Sequence, residues 1–379
     1  MRDPPVAAAT MFTDDSPLIT PTDHPELETA LLGKLDRRTR LAGHLGELEP
    51  LAVRIGLVQA SLRPRLRQPR LLVFAGDHGL AVDVSSPLAH STTAVVNDIL
   101  HSRVPLPVFA HHQGLTVEVV DSGLAEPVPR CPGLLARKIA HGTRNCRVAQ
   151  AMTLEQVHAA IRAGMEIVES MPGNVLGCAG IGVGSHEASA LLISRLIDVP
   201  LHAILRSGPA MEATELDHLV SVLQAAQSRH TGIDDPVEAL AAFGGFETAM
   251  MVGAMLKAAE RRSLLLVDGL SACAALIVAA QIAGPVADYC IFCRSTEHAG
   301  LDAVLDSLES TALLALGMNS IDGTGIALSW PLVSAAAALL SDVADTVEPL
   351  PPQQLRTEDP VAEAPVREFL RTLPSTPDF

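Results

Sequence analysis

The chain has 379 residues, enough to bury a large core, and carries 27 Lys and Arg against 43 Asp and Glu for a net charge of −16. That balance argues against a nucleic-acid or anionic-membrane partner, because either needs a concentrated basic surface. A phosphorylated ligand would have to be held by backbone N–H groups and a few local cations, since the overall field repels it.

In chain order, residues 1–23, rich in Pro, Asp and Thr, read as a flexible tail. Helix signals start at 24–41, where Pro25 suits a first turn and Leu27, Leu31, Leu32 and Leu35 recur at helical spacing. They continue through 45–62, so residues 24–65 are expected to form an N-terminal helical lobe. Between residues 66 and 345 short apolar runs alternate with helical stretches. The runs at 70–75, 115–120, 174–176, 201–205, 263–267 and 287–292 read as buried parallel strands. Thr153-Leu154-Glu155-Gln156 is a capping box opening a helix with Leu154, Val157, Ile161, Met165 and Val168 on one face, and Met171-Pro172-Gly173 ends it. Residues 346–379 form a Pro-rich C-terminal extension. Aromatics make up only 3% of the chain, which favours small-residue helices packed closely on a sheet.

No apolar stretch reaches the ~20 uninterrupted residues of a membrane span. The six cysteines are sparse, and no basic flank with an apolar stretch opens the chain, which points to reduced thiols in the cytoplasm. Cys290 and Cys293 form a C-x-x-C with no second pair at zinc spacing, and read as ordinary thiols.

The strand runs share one property: each ends in glycine and polar residues. These are Gly76-Asp77-His78-Gly79, Asp121-Ser122-Gly123, Gly177–Gly184, Arg206-Ser207-Gly208, Asp268-Gly269 and Cys293-Arg294-Ser295. In an open, doubly wound α/β sheet of parallel strands, ligands bind outside the carboxyl ends, so this rim is the expected active site. The Gly177–Ser185 segment, between a strand and a helix over 187–195, suits either an anion cradle or a tight crossover turn. A nicotinamide-dinucleotide site competes for it, but that site wants an acidic residue at the end of the next strand, where Arg206 stands. Asp77-His78 fits an acid–base pair or a turn in which Asp77 caps amides, and Asp268 has the same ambiguity. Asp322, in the turn Met318–Gly325 before an apolar helix over 326–340, is either a helix cap or a general base.

The blocks FAGDHGL (74–80), VEVVDSGL (117–124), GIGVGSHEASA (180–190), DPVEALAAFGGFETAMMVGAMLKAA (235–259), LLLVDGLSACAAL (264–276), STEHAGL (295–301) and GMNSIDGTGIALSWPL (317–332) occur in an order that resembles the nicotinate-nucleotide:dimethylbenzimidazole phosphoribosyltransferase family over about 25–345. The resemblance implies a homodimer, a parallel α/β sheet with a small helical lobe from the N- and C-terminal parts, and neither a metal nor an organic cofactor. It implies transfer of phosphoribose from nicotinate mononucleotide to 5,6-dimethylbenzimidazole, or a related azole, to give α-ribazole 5′-phosphate and nicotinate. The family's catalytic Glu falls on Asp322. Candidate substrate contacts are Asp77, His78, Gly180, Gly182, Gly184, Ser185, Ser207, Gly208, Asp268, Ser295 and Gly323. The dimer is expected to use the apolar segment 246–259 or 326–340.

Some positions depart from the family pattern. A second active-site Glu is Cys178, Asn-Thr-Thr becomes Val183-Gly184-Ser185, a phosphate-binding Gly-Thr-Gly becomes Gly208-Pro209-Ala210, a Lys becomes Leu219, and an Arg becomes Asn319. These departures leave two alternatives: a transferase with another base or ribosyl donor, and a non-catalytic azole-binding homologue. A third reading, an NADP-dependent dehydrogenase, depends on Arg206.

Overall fold

The computed structural model describes residues 19–40, 43–84, 90–205, 212–295 and 299–344. The expected extension 346–379 therefore lies outside the described residues, as does 1–18 of the expected tail. Residues 19–23 belong to the folded body: the Thr22 N–H donates to Asp288 Oδ2 at 3.0 Å, and the Tyr289 hydroxyl donates to the Thr20 carbonyl at 2.7 Å.

Among the described residues seven strands make one sheet. They are β1 (Arg70–Gly76), β2 (Thr116–Gly123), β3 (Leu134–Ala136), β4 (Val175–Ile181), β5 (Leu264–Val267), β6 (Cys290–Ser295) and β7 (Ala312–Ala315), all parallel, in the order β3-β2-β1-β4-β5-β6-β7. β4 and β5 are buried throughout, as continuous apolar strands covered on both faces must be. The chain moves outward from β1 to β3, then returns to β4 and moves outward the other way. The order therefore reverses between β1 and β4, and that switch point is where an open α/β sheet forms its crevice.

The sequence expectation fails at 201–205, which is the short helix Leu201–Leu205. The Pro200 carbonyl accepts the Ala203 N–H at 2.9 Å, opening a helical turn, and Leu201, Ile204 and Leu205 are buried at helical rather than alternating spacing. The margin strands β3 and β7 were not expected. Each has only three or four residues and is at most half-buried, too short for a pattern to show.

The helix Phe246–Glu260 runs through the interior on the sheet and against the helix Leu154–Glu169. A β carbon on Gly164 would overlap the Met250 carbonyl, and one on Gly253 the Ile161 carbonyl, so the two backbones meet at glycines on both sides. This corrects the expectation that 246–259 could cover a dimer interface: the protomer's own core already buries it. The capping box at Thr153 is formed, with Gln156 N–H to Thr153 Oγ1 at 3.1 Å and Thr153 N–H to Gln156 Oε1 at 2.9 Å. Leu154, expected on the buried face, is 43% exposed.

The helices Pro25–Thr39 and Leu48–Val58 pack against the helix Thr324–Ser341, where Arg38 Nη1 donates to the Leu339 carbonyl at 2.8 Å. Thr324–Ser341 is long and apolar enough by length and composition to cross a membrane, and 56% of it is buried inside the structure, as in a core helix.

Candidate active site

A cleft of about 270 Å³ opens at the carboxyl ends of β4, β5 and β6, beside the switch point. A more open pocket of about 350 Å³ lies at the far, C-terminal end of the helix Ser185–Ile197, away from the strand ends. Val95, Ile181, Leu270, Leu301, Met318 and Ile321 give the rim cleft an apolar wall, and Ser185, Ser271, Ser320, Asn319 and Asp322 give it polar groups. Among the described residues that line it, only Asp322 brings a carboxylate.

Asp322 stands just before the helix Thr324–Ser341 but does not cap it. Gly323 occupies the cap position at φ 95°, and the N–H groups of Gly323 and Gly325 donate to Asp268 Oδ2 at 2.6 and 2.9 Å. Asp268 therefore neutralises the start of the helix. Asp322 instead accepts from Arg294 Nη2 at 2.8 Å, and a quarter of its side chain remains open. Burial pushes its carboxyl up to about 7, Arg294 pulling down and Asp268 pushing up. A carboxyl in that range can exchange a proton at neutral pH.

Asp268, expected to contact substrate, is buried behind the cleft with every contact a donor: Arg294 Nε at 2.9 Å and the two amides. Burial raises its pKa, while the Arg294 charge and the amides hold it down.

The expected Asp77-His78 acid–base pair is not formed. Asp77 ties down backbone and a neighbouring hydroxyl, taking the Thr92 Oγ1 proton on Oδ1 and the Ala125 N–H on Oδ2 at 2.7 Å. His78 is buried against Glu247, Nε2 to Oε1 at 2.7 Å. Burial alone would lower the His78 pKa, but the charge and hydrogen bond of Glu247, with Asp77 and Glu187 farther off, raise it. Neither Asp77 nor His78 lines the cleft. His78 reaches it through a hydrogen-bond chain by way of Glu247: Ser185 Oγ donates to Glu247 Oε1 at 3.3 Å and lies 2.7 Å from Ser271 Oγ.

The glycine-rich segment is also not the expected cradle over its whole length. Gly177 to Ile181 are strand, and a β carbon on Gly180 would press on Ser271 Cβ at 2.7 Å and Met251 Cε at 2.8 Å. The turn itself is only Gly182–Gly184, with Gly184 at φ 84° heading the helix Ser185–Ile197. Gly180, Gly182, Ser185 and Asp322 come together on the cleft. Ser207 and Gly208 lie outside the described residues, as does the side chain of Ser295. Of the departures from the family pattern, Cys178 and Leu219 are buried away from the cleft and Asn319 is on it.

Sequence reasoning placed Arg294 on the rim without a role, and missed Ser271 and Glu247. Arg294 was visible as a charge at the end of an apolar run, and Glu247 as a charge inside the apolar block GGFETAMM. Such charges are buried only when paired. Among the described residues no group of three or more His, Cys, Asp or Glu could hold a metal ion.

A family model described as Phosphoribosyltransferase matches residues 19–348. The nicotinate-nucleotide–dimethylbenzimidazole phosphoribosyltransferase of Cupriavidus necator is 41% identical over 335 residues, covering 86% of this chain and 96% of that protein. The enzyme of the same name from Dechloromonas aromatica is 39% identical, covering 84% and 93%. The crystal structure of CobT from Thermus thermophilus superposes with a TM-score of 0.78 at 29% identity, over 83% of this chain and 96% of that one. The chain belongs to the nicotinate-nucleotide–dimethylbenzimidazole phosphoribosyltransferase family of transferases.

Proposed function

We propose that this protein transfers the phosphoribosyl group of nicotinate mononucleotide to 5,6-dimethylbenzimidazole or a closely related azole, with Asp322 as general base. A ring nitrogen of the azole attacks the anomeric carbon from the face opposite the leaving group and the azole N–H proton passes to Asp322. The bond from the anomeric carbon to the nicotinate nitrogen breaks, and its electron pair neutralises the pyridinium. The products are α-ribazole 5′-phosphate and nicotinate. The apolar wall suits a flat aromatic base, while the Gly182–Ser185 turn and the start of the helix Ser185–Ile197 suit the phosphorylated donor.

The observation that carries this reading is that Asp322 is the one carboxylate among the described residues lining a cleft, part apolar and part polar, at the switch point. The departures at Asn319 and Val183 favour a second reading, an azole-binding homologue without turnover. Incubating the purified protein with nicotinate mononucleotide and dimethylbenzimidazole, and measuring nicotinate and α-ribazole 5′-phosphate by mass spectrometry, separates the two. Equimolar formation of both supports the transferase. Thermal stabilisation by azoles with no product from any base supports the second reading.

We further infer a homodimer working in the cytoplasm without a cofactor. The exposed side of the helix Thr324–Ser341, with Pro331, Ser334 and Ala335 outward, offers surface for a symmetric contact.

A further inference from the structure

Arg294, at the end of β6, is 6% exposed, and all three of its guanidinium nitrogens are engaged. Nε donates to Asp268 Oδ1 at 2.9 Å and Nη2 to Asp322 Oδ1 at 2.8 Å. Nη1 reaches the Met318 carbonyl at 3.4 Å, and the Ser320 carbonyl and hydroxyl at 3.3 Å each. One side chain therefore joins the end of β5, the end of β6, the 318–322 turn and, through Asp268, the start of the helix Thr324–Ser341. The packing admits this only because residue 325 is glycine: a β carbon there would lie 2.5 Å from Asp268 Oδ1 and 3.0 Å from Arg294 Cβ.

The two carboxylates are treated differently. Asp268 is saturated, each oxygen receiving donors, and faces away from the cleft. Asp322 is held by Oδ1 alone, and among the described residues no donor hydrogen-bonds to its Oδ2. Such an arrangement needs a planar fork with separate nitrogens for two carboxylates and a turn. A lysine ammonium has one nitrogen and cannot span them.

We propose that Arg294 is a positioning residue for the transfer reaction: gripping Oδ1 of Asp322, it presents the other oxygen to the azole and keeps the carboxylate charged where burial favours the neutral acid. This inference rests on the transferase reading. The titratable groups facing Asp322 among the described residues are Asp268 and Arg294, Cys273 from the helix Leu270–Ile282, and His186 across the cleft. Burial raises the Cys273 thiol and lowers His186 to about 4, so both are neutral in the working range and Arg294 supplies the positive charge.

The test compares wild type, Arg294→Gln and Arg294→Lys from about pH 5.5 to 9, reading kcat, KM and the titration of the Asp322 carboxyl by carbon NMR on aspartate-labelled protein. Emission of the single Trp330, buried in the helix Thr324–Ser341, controls for folding. In Arg294→Gln the acid limb of kcat and the Asp322 midpoint should both move up by about one to two pH units, with kcat at pH 7 down at least about tenfold and KM nearly unchanged. Arg294→Lys should recover part of the shift. A Gln variant whose Asp322 midpoint stays at the wild-type value overturns the proposal, as does an unmoved acid limb with kcat and KM impaired together. If Arg294→Gln does not fold, Arg294→Lys decides by the same midpoint: raised supports the proposal, unmoved overturns it. Wild type that makes no product with any base defeats the transferase reading instead, and the NMR midpoint still judges Arg294.

Discussion

The carboxyl group of Asp322 lies directly over the α carbon of Gly269, so closely that a β carbon on that glycine would overlap it. Gly269 has φ 94°, a backbone conformation that side-chain-bearing residues rarely adopt. The strand end at β5 is thus shaped to admit this one carboxylate. Gly269→Ala should displace Asp322 by about 1 Å or more and cut kcat by about a hundredfold, with a stability loss of about 1–3 kcal/mol from the strained backbone. Kinetics and urea denaturation check both numbers, and unchanged kcat would detach Gly269 from the site.

Replacing Asp322 itself separates chemistry from scaffolding. Because Asp268 receives the helix amides, Asp322→Asn should leave the fold and azole binding nearly intact while lowering turnover about a hundredfold or more. Asp322→Glu reaches one methylene farther into the cleft and should raise kcat. Turnover equal in all three proteins would remove Asp322 from the mechanism.

Stability should carry the signature of the same carboxyl. Its folded pKa of about 7 lies above the ordinary aspartate value, so the folded state binds the extra proton between about pH 4 and 7. The Asp322 contribution is therefore fully present below about pH 4 and is lost as pH rises through 7. Melting curves of wild type minus Asp322→Asn should slope downward across that window. A difference independent of pH would contradict the assignment.

The buried His78–Glu247 pair supports the floor of the cleft. Glu247→Gln leaves His78 without its counter-charge and should cost about 3–5 kcal/mol by chemical denaturation. Since the His78 pKa is raised, the stabilisation from the pair is complete below the unfolded value of about 6.5, and fades as pH climbs through the folded one. The penalty of the substitution should accordingly shrink in alkaline buffer. A loss below about 1 kcal/mol near pH 6 would mean that the pair carries little of the floor.

Light scattering at micromolar concentration should return a particle of twice the 39.8 kDa chain mass. A monomer would dismiss the dimer and redirect attention to the exposed side of the helix Thr324–Ser341 as an ordinary surface.

Local signals in the chain determined much of this. The apolar runs at 70–75 and 263–267 read as covered strands and are β1 and β5, only the start of β4 was legible before its glycines, the Thr153 capping box specified its helix, and the glycine and polar residues after the runs marked the rim. The blocks from FAGDHGL (74–80) to GMNSIDGTGIALSWPL (317–332) carried the family. These features depend on neighbours a few residues apart, which is the range over which periodicity and caps act.

Tertiary structure decided which polar residue met which. Asp77 precedes His78 in sequence, yet the partner of His78 is Glu247, 169 positions away. Asp322 stands where a cap belongs, yet the cap is Asp268, 55 positions upstream of Gly323. Leu201–Leu205 looked like a strand until Pro200 opened a helical turn that buried it at another period. A buried charge takes whichever partner lowers its desolvation cost within about 3 Å, and that distance is set by how strands and helices pack, not by order along the chain.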